Sequence, residues 1–355
     1  MSGIAKKIMQ AGAGGAEAAT VAYVSANRAD SITAIDISNP SALSQLDSLS
    51  NATNLEGATG VALDLTNQVA YVASGNATSV TAIDISNPSA LSELDSIESN
   101  NFENVSDVAL DLTNQVAYVT SAVRITAIDI SNPSALSQLD SLSSTNLDGA
   151  NGVALDLTNQ VAYVASDTEN SITAIDISNP SALGELDSLS SNNLEGAYDV
   201  ALDLTNQVAY VTSAADSSIT AIDISNPSAL SELDNLSNAN LNAARGVALD
   251  LTNQVAYVAS SDADSITAID ISNPSALSEL DSLSSGNLNG AYDVALDLTK
   301  QVAYVASLTA DSITAIDISN PSALSQLGSL SSTNLDGAIR VALNIEGPAS
   351  TNAYE

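Results

Sequence analysis

Six aspartates recur at one place in a repeated string, Val-Ala-Leu-Asp-Leu: Asp64, Asp111, Asp156, Asp203, Asp250 and Asp297, with Asn344 in the seventh place. Carboxylates converging on a common axis suit a hard cation, because Ca²⁺ takes oxygen ligands. Two arguments oppose a metal. Like charges brought together repel or take up protons, and the chain has no Asp-x-Asp-x-Asp-Gly calcium loop. The preferred reading is a turn device multiplied by copying, with no metal. A second set, Asp36, Asp84, Asp129, Asp176, Asp223, Asp270 and Asp317, is separated from Ser-Asn-Pro by a single Ile. It is expected to cap that turn through side-chain hydrogen bonds.

Catalysis needs a group that stands apart from the repeat. The chain has no His and no Cys, which excludes Ser-His-Asp and Cys-His triads, disulfides and thiolate metal sites. No Gly-rich phosphate loop is present. Glu98, Glu103 and Glu169 break the repeat pattern and are the candidates for a paired-carboxylate hydrolase. The expectation is no enzyme and no cofactor.

Recognition has better candidates. The residue pairs before each Val-Ala-Leu string are Thr59-Gly60, Ser106-Asp107, Asn151-Gly152, Tyr198-Asp199, Arg245-Gly246, Tyr292-Asp293 and Ile339-Arg340. Tyr198, Arg245, Tyr292 and Arg340 fall on four successive copies, and Tyr and Arg are enriched at binding hot spots. With Asp199 and Asp293 they form a candidate arc for an anionic or carbohydrate group; the competing reading pairs Arg with Asp199 or Asp293 locally. The most divergent stretch, 97–107, carries the chain's only Phe, Phe102, with Glu98 and Glu103. These three are further candidate contacts.

The elements that position these residues come from repetition. Val-Ala-Tyr-Val begins at Val21, Val69, Val116, Val161, Val208, Val255 and Val302. Each copy predicts four short strands; in one of them these are 61–65, 69–74, 80–85 and 90–97. They are rich in β-formers and separated by Thr-Asn-Gln and Ser-Asn-Pro-Ser turns. The first three are apolar on both faces, as in a sheet covered on both sides. The fourth is more polar and suits an outer edge. The first copy lacks its leading strand, which reappears as Val341–Ile345 after the last copy. The fold class is therefore all-β: a single seven-bladed β-propeller with four antiparallel strands per blade. The C-terminal strand, 341–345, joins the N-terminal blade and closes the ring. Up-and-down strands send the near-constant first and third loops to one face and the variable second and fourth loops to the other, the top. Variable loops on a rigid scaffold are where recognition resides.

Gly149–Ala154, Val161–Ala165 and Ile175–Ser181 show one copy of the pattern Gly-Ala-x-x-Val-Ala, Val-Ala-Tyr-Val-Ala, Ile-Asp-Ile-Ser-Asn-Pro-Ser. Seven such copies resemble the LVIVD-repeat β-propellers. The resemblance implies surface or secreted proteins without an assigned role.

Charge narrows the partners. With 7 Lys+Arg against 42 Asp+Glu, the net charge is -35. A polyanion needs clustered bases, so nucleic acid is excluded and an anionic membrane is disfavoured. Self-repulsion at such charge is relieved by dense counter-ions, which fits a high-salt habitat. No apolar run is long enough for a transmembrane helix, and the apolar core near the N-terminus is too short for a standard signal peptide. The expected divisions are a leader, 1–20, the propeller, 21–345, and a tail, 346–355. In the leader, Ile4, Ile8 and Met9 with Lys6 and Lys7 are candidate anchors to an assembly partner, against a simpler reading as loose chain. The expected role is a recognition or display scaffold with a protein or carbohydrate partner on the top face. The alternative is a structural component of a surface assembly or virion. A cell-surface, extracellular or virion-surface location is favoured.

Overall fold

Each Val-Ala-Tyr-Val string forms the second strand of a blade, counted outward from the ring axis. β-Branched and aromatic side chains suit a pleated surface packed on both faces, and all seven such strands are buried along their whole length. The computed structural model describes residues 20–345. They form seven four-stranded antiparallel sheets, arranged as a β-propeller. Blade 2 comprises Ala58–Asp64, Val69–Ser74, Ser79–Asp84 and Ser92–Glu98, and blades 3 to 7 repeat that order along the chain. Blade 1 takes its innermost strand, Ala338–Asn344, from the C-terminal end; it pairs with Val21–Ala26, Val24 facing Val341. The candidate anchors Ile4, Lys6, Lys7, Ile8 and Met9 lie outside the described residues. Among the described residues no helix is long and apolar enough to cross a membrane.

The core lies between blades rather than within them. Tyr71, Phe102, Val108 and Val119 share one cluster across blades 2 and 3, and Tyr304, Ile35, Val24 and Val341 share another across the closing junction of blades 7 and 1. The outermost strands are exposed at both ends and half-buried between them. They are tied to their neighbours at the rim: the Asp187 carboxylate accepts the backbone N–H of Leu230 at 2.7 Å, and Asp47 does the same for Leu91.

The innermost strands begin earlier than the apolar pattern predicts. In blade 2 the strand runs from Ala58 to Asp64, so it starts before Val61 and Leu65 belongs to the turn. The extra residues form a bulge: Ala150 faces Ser166 and Val153 faces Val164, leaving Asn151 and Gly152 unpaired. A bulge re-aims side chains, and a register break stands shortly before the core valine in every innermost strand pair except that of blade 3.

Phe102 is not a surface contact. It is fully buried on a short 3-10 turn, at the place where other copies carry Leu147, Leu194 or Leu241. Its size and apolarity put it in the core, and its uniqueness in the chain reflects one copy filling a common slot with a ring.

Candidate functional site

The two aspartate sets are turn devices. Asp64 accepts the backbone N–H of Asn67 at 2.9 Å and its side-chain amide at 2.6 Å. Asp111, Asp156, Asp203 and Asp250 repeat both bonds. Asp297 accepts from the Lys300 N–H and pairs with its ammonium at 3.6 Å. Each carboxylate is thus engaged by its own turn. Among the described residues no three His, Cys, Asp or Glu side chains are placed to hold a metal. In the second set, Asp84 accepts from the Ser86 N–H at 2.8 Å, and its six counterparts do likewise at 2.9 Å.

The top face differs. Going round the ring, the second residue of each variable pair is Gly60, Asp107, Gly152, Asp199, Gly246, Asp293 and Arg340. Glycine and aspartate alternate through six blades. Each Asp reaches forward into the next blade and accepts the N–H of its first core valine: Val153 on Asp107 at 3.2 Å, Val247 on Asp199 at 3.1 Å, Val341 on Asp293 at 2.9 Å. Each Gly makes room for the Asp that follows. A Cβ on Gly152 would lie 2.6 Å from Asp199 Oδ1 and 2.8 Å from its Cα, and one on Gly246 would meet Asp293 equally closely.

Arg340, in the closing strand, occupies the seventh place and is only 4 % exposed. Its guanidinium lies 3.8 Å from Asp107, 3.8 Å from Asp199 and 3.7 Å from Asp293. Three carboxylates therefore share one cation. Burial pushes all three upward, Asp107 to about 7 and Asp293 to about 6, and the Arg340 charge offsets only part of this.

A second cluster adjoins the cage at the mouth. The phenol oxygens of Tyr198 and Tyr292 stand 2.5 Å apart, with ring centroids separated by 5.5 Å and planes at 86°. The Arg245 guanidinium sits 4.3 Å from the Tyr198 ring centre and 5.2 Å from that of Tyr292. Arg340 approaches the Tyr198 ring at 5.9 Å. These are edge-to-face and cation–π distances. Tyr198, Arg245 and Tyr292 remain half-buried. Beyond the mouth a groove of about 450 Å³ runs over blades 7, 1, 2 and 3, lined by amides and hydroxyls such as Asn27, Asn76, Asn104, Thr59 and Ser106.

The structure thus unites Tyr198, Asp199, Arg245, Tyr292, Asp293 and Arg340 and adds Asp107, which the sequence reading passed over. Its signal was present: Asp precedes the valine in three alternate copies. For Arg340 the ion pairs with Asp199 and Asp293 are those of the competing reading, with Asp107 as a third partner. Glu98, Glu103 and Glu169 are exposed on the top face. Glu98 ends the outermost strand of blade 2, away from the mouth cluster.

The LVIVD repeat matches seven times, over residues 22–49, 65–98, 110–142, 157–191, 207–237, 250–284 and 301–331. The chain belongs to the LVIVD repeat family. No curated protein matches this LVIVD-repeat chain by sequence. Solved structures match its fold over nearly their whole length. A functionally unknown protein from Desulfotomaculum acetoxidans has TM-score 0.75 at 14 % identity, covering 91 % of this chain and 98 % of that one. The periplasmic gluconolactonase of Pseudomonas aeruginosa has TM-score 0.78 at 9 % identity, covering 92 % and 99 %. A chain of a nidogen/laminin complex has TM-score 0.55 at 13 % identity, covering 78 % and 97 %. At these identities the likeness is one of fold.

Proposed function

We propose that this LVIVD-repeat propeller is a non-enzymatic recognition scaffold that engages its partner through the top face. The observation that carries this reading is the mouth cluster, where Tyr198, Arg245, Tyr292 and Arg340 from four blades meet. The opposite face repeats the same turn chemistry blade after blade. Half-buried aromatics held rigid by cation–π and hydroxyl contacts are pre-organised, which lowers the entropy cost of binding. The groove of amides and hydroxyls over blades 7, 1, 2 and 3 suits a polar partner such as a glycan or a peptide. A chain of the nidogen/laminin complex shares the architecture, and fold alone assigns no ligand. The lack of His and Cys, and the separation of Glu98 from the mouth cluster, support binding over hydrolysis.

The test is a glycan and cell-surface array probed at low and high salt with the parent chain and with a Tyr198→Ala/Arg245→Ala/Tyr292→Ala variant. Saturable binding lost in the variant at unchanged melting temperature supports the reading. Binding that survives in the variant, or none at either salt, sinks it.

A further inference from the structure

Arg245 is unusual among the described cations. Arg28, Arg340 and Lys300 each pair with aspartate. Among the described residues Arg245 has no carboxylate at ion-pair distance, though the chain carries 42 acidic residues. Arg124 shares that property but has no aromatic ring beside it. The nearby acids are engaged: Asp199 and Asp293 face Arg340 and hold backbone N–H groups of the next blade. The Arg245 Nε is buried without a hydrogen-bond partner, while the residue as a whole is half-exposed. Ring faces satisfy the positive charge of a guanidinium but not its in-plane N–H donors, of which it has five.

The tyrosines add a second donor. Two phenols joined by one hydrogen bond use one proton between them, so one O–H stays uncommitted. Burial raises the Tyr198 phenol well above its ordinary range and keeps it protonated. A cation with an unmet planar donor and a phenol O–H therefore stand side by side at the mouth. A planar monoanion accepts from both, and Arg–carboxylate geometry is commonly bidentate. A dianion such as phosphate meets twice the repulsion from a body of net charge -35.

Resting on the recognition reading above, we propose that the Tyr198–Arg245–Tyr292 cluster is a carboxylate-docking point. The ligand is a carboxylate borne on a sugar or a peptide, clamped by the Arg245 guanidinium and a tyrosine hydroxyl. The contact is short-ranged and half-buried, whereas the repulsion from the body is long-ranged. Screening shortens from about 10 Å at 0.1 M salt to about 3 Å at 1 M. Salt therefore tightens this binding, opposite to an ordinary exposed ion pair.

Calorimetric titration of the whole chain tests this with five probes: oligoglucuronate, uncharged oligoglucose, a short peptide with a free C-terminus, the same peptide amidated, and inorganic phosphate. The expected result is saturable binding of oligoglucuronate or of the free-acid peptide, the two arms separating the sources. Arg245→Gln and Arg245→Lys each weaken it at least about tenfold, at unchanged melting temperature. Binding tightens about threefold between 0.1 and 1 M NaCl. Phosphate binding more tightly than both carboxylates overturns the assignment. So does a neutral or amidated probe that binds equally well in both variants. If no carboxylate binds while an array ligand is lost in the triple variant, the carboxylate assignment fails and the recognition reading stands. If the array is also silent, both fail.

Discussion

The Arg340 guanidinium on the ring-closing strand lies 3.8 Å from the Asp107 carboxylate on blade 3, and both side chains are buried. One arginine thus ties the last strand to carboxylates on blades 3, 5 and 7. A buried pair of this kind is weak evidence for net stability, yet removing one partner is strongly destabilising. The cage carries more negative than positive charge, and that imbalance governs its response to acid.

Stability should rise as pH falls from 8 to 5. Asp107 and Asp293 have folded pKa values raised to about 7 and about 6, against about 3.9 for an unfolded Asp. The folded state therefore holds protons that the unfolded state has released. That contribution is complete below the unfolded value and is lost as pH rises through 6 and 7. In the opposite sense, Asp84, Asp129, Asp176, Asp223, Asp270 and Asp317 are each lowered by hydrogen bonds from the serine two residues on. Their contribution is lost as pH falls through their depressed values, and their exposure keeps it small. Scanning calorimetry across pH 3–8 should place the highest melting temperature between about pH 4 and 6, with Asp107→Asn flattening the upper limb. A melting temperature that climbs from pH 5 to 8 contradicts the cage as described.

Gly152→Ala should destabilise by about 1–3 kcal/mol, because the new Cβ meets the backbone and carboxylate of Asp199. Gly184→Ala and Gly286→Ala are the controls: nothing lies within 4 Å of the added methyl, and neither glycine has positive φ. They should be neutral or add about 0.4–1 kcal/mol by stiffening the unfolded chain. Chemical denaturation measures all three, and equal effects would remove the close-approach argument.

The junction of blades 7 and 1 should resist being made like the others. Asp187→Ala removes the rim bond to Leu230 and should cost about 1–3 kcal/mol by orphaning that N–H. At the seam the corresponding residue is Gly328, and a Cβ there would lie 2.5 Å from the Pro40 carbonyl oxygen. Gly328→Asp, which restores the repeat, should lower the melting temperature. A rise would show that the seam tolerates the common clamp.

Most of the architecture was legible because each blade restates it. Val-Ala-Tyr-Val, the Asn-Pro turn and the displaced strand at 341–345 fix the blade count and closure. Strand starts were missed because Thr59-Gly60, Asn151-Gly152 and Arg245-Gly246 lie in a bulge, where pairing breaks and apolar patterning ends. Phe102 was misplaced because rarity was read as exposure; alignment with Leu147 gives its burial directly. Asp107 escaped because its neighbour Ser106 has no aromatic ring to draw notice. Its contact with Arg340 runs across the axis, and no local spacing encodes such a meeting.

A pattern with two alternating symbols closes on an even ring and cannot close on an odd one. With glycine and aspartate alternating and seven blades to fill, one position must be a mismatch, and Arg340 stands there. The mismatch destroys rotational equivalence. Blades that are near-copies acquire distinct addresses relative to that point, so a partner meeting the top face encounters a dial with a fixed zero rather than a featureless wheel.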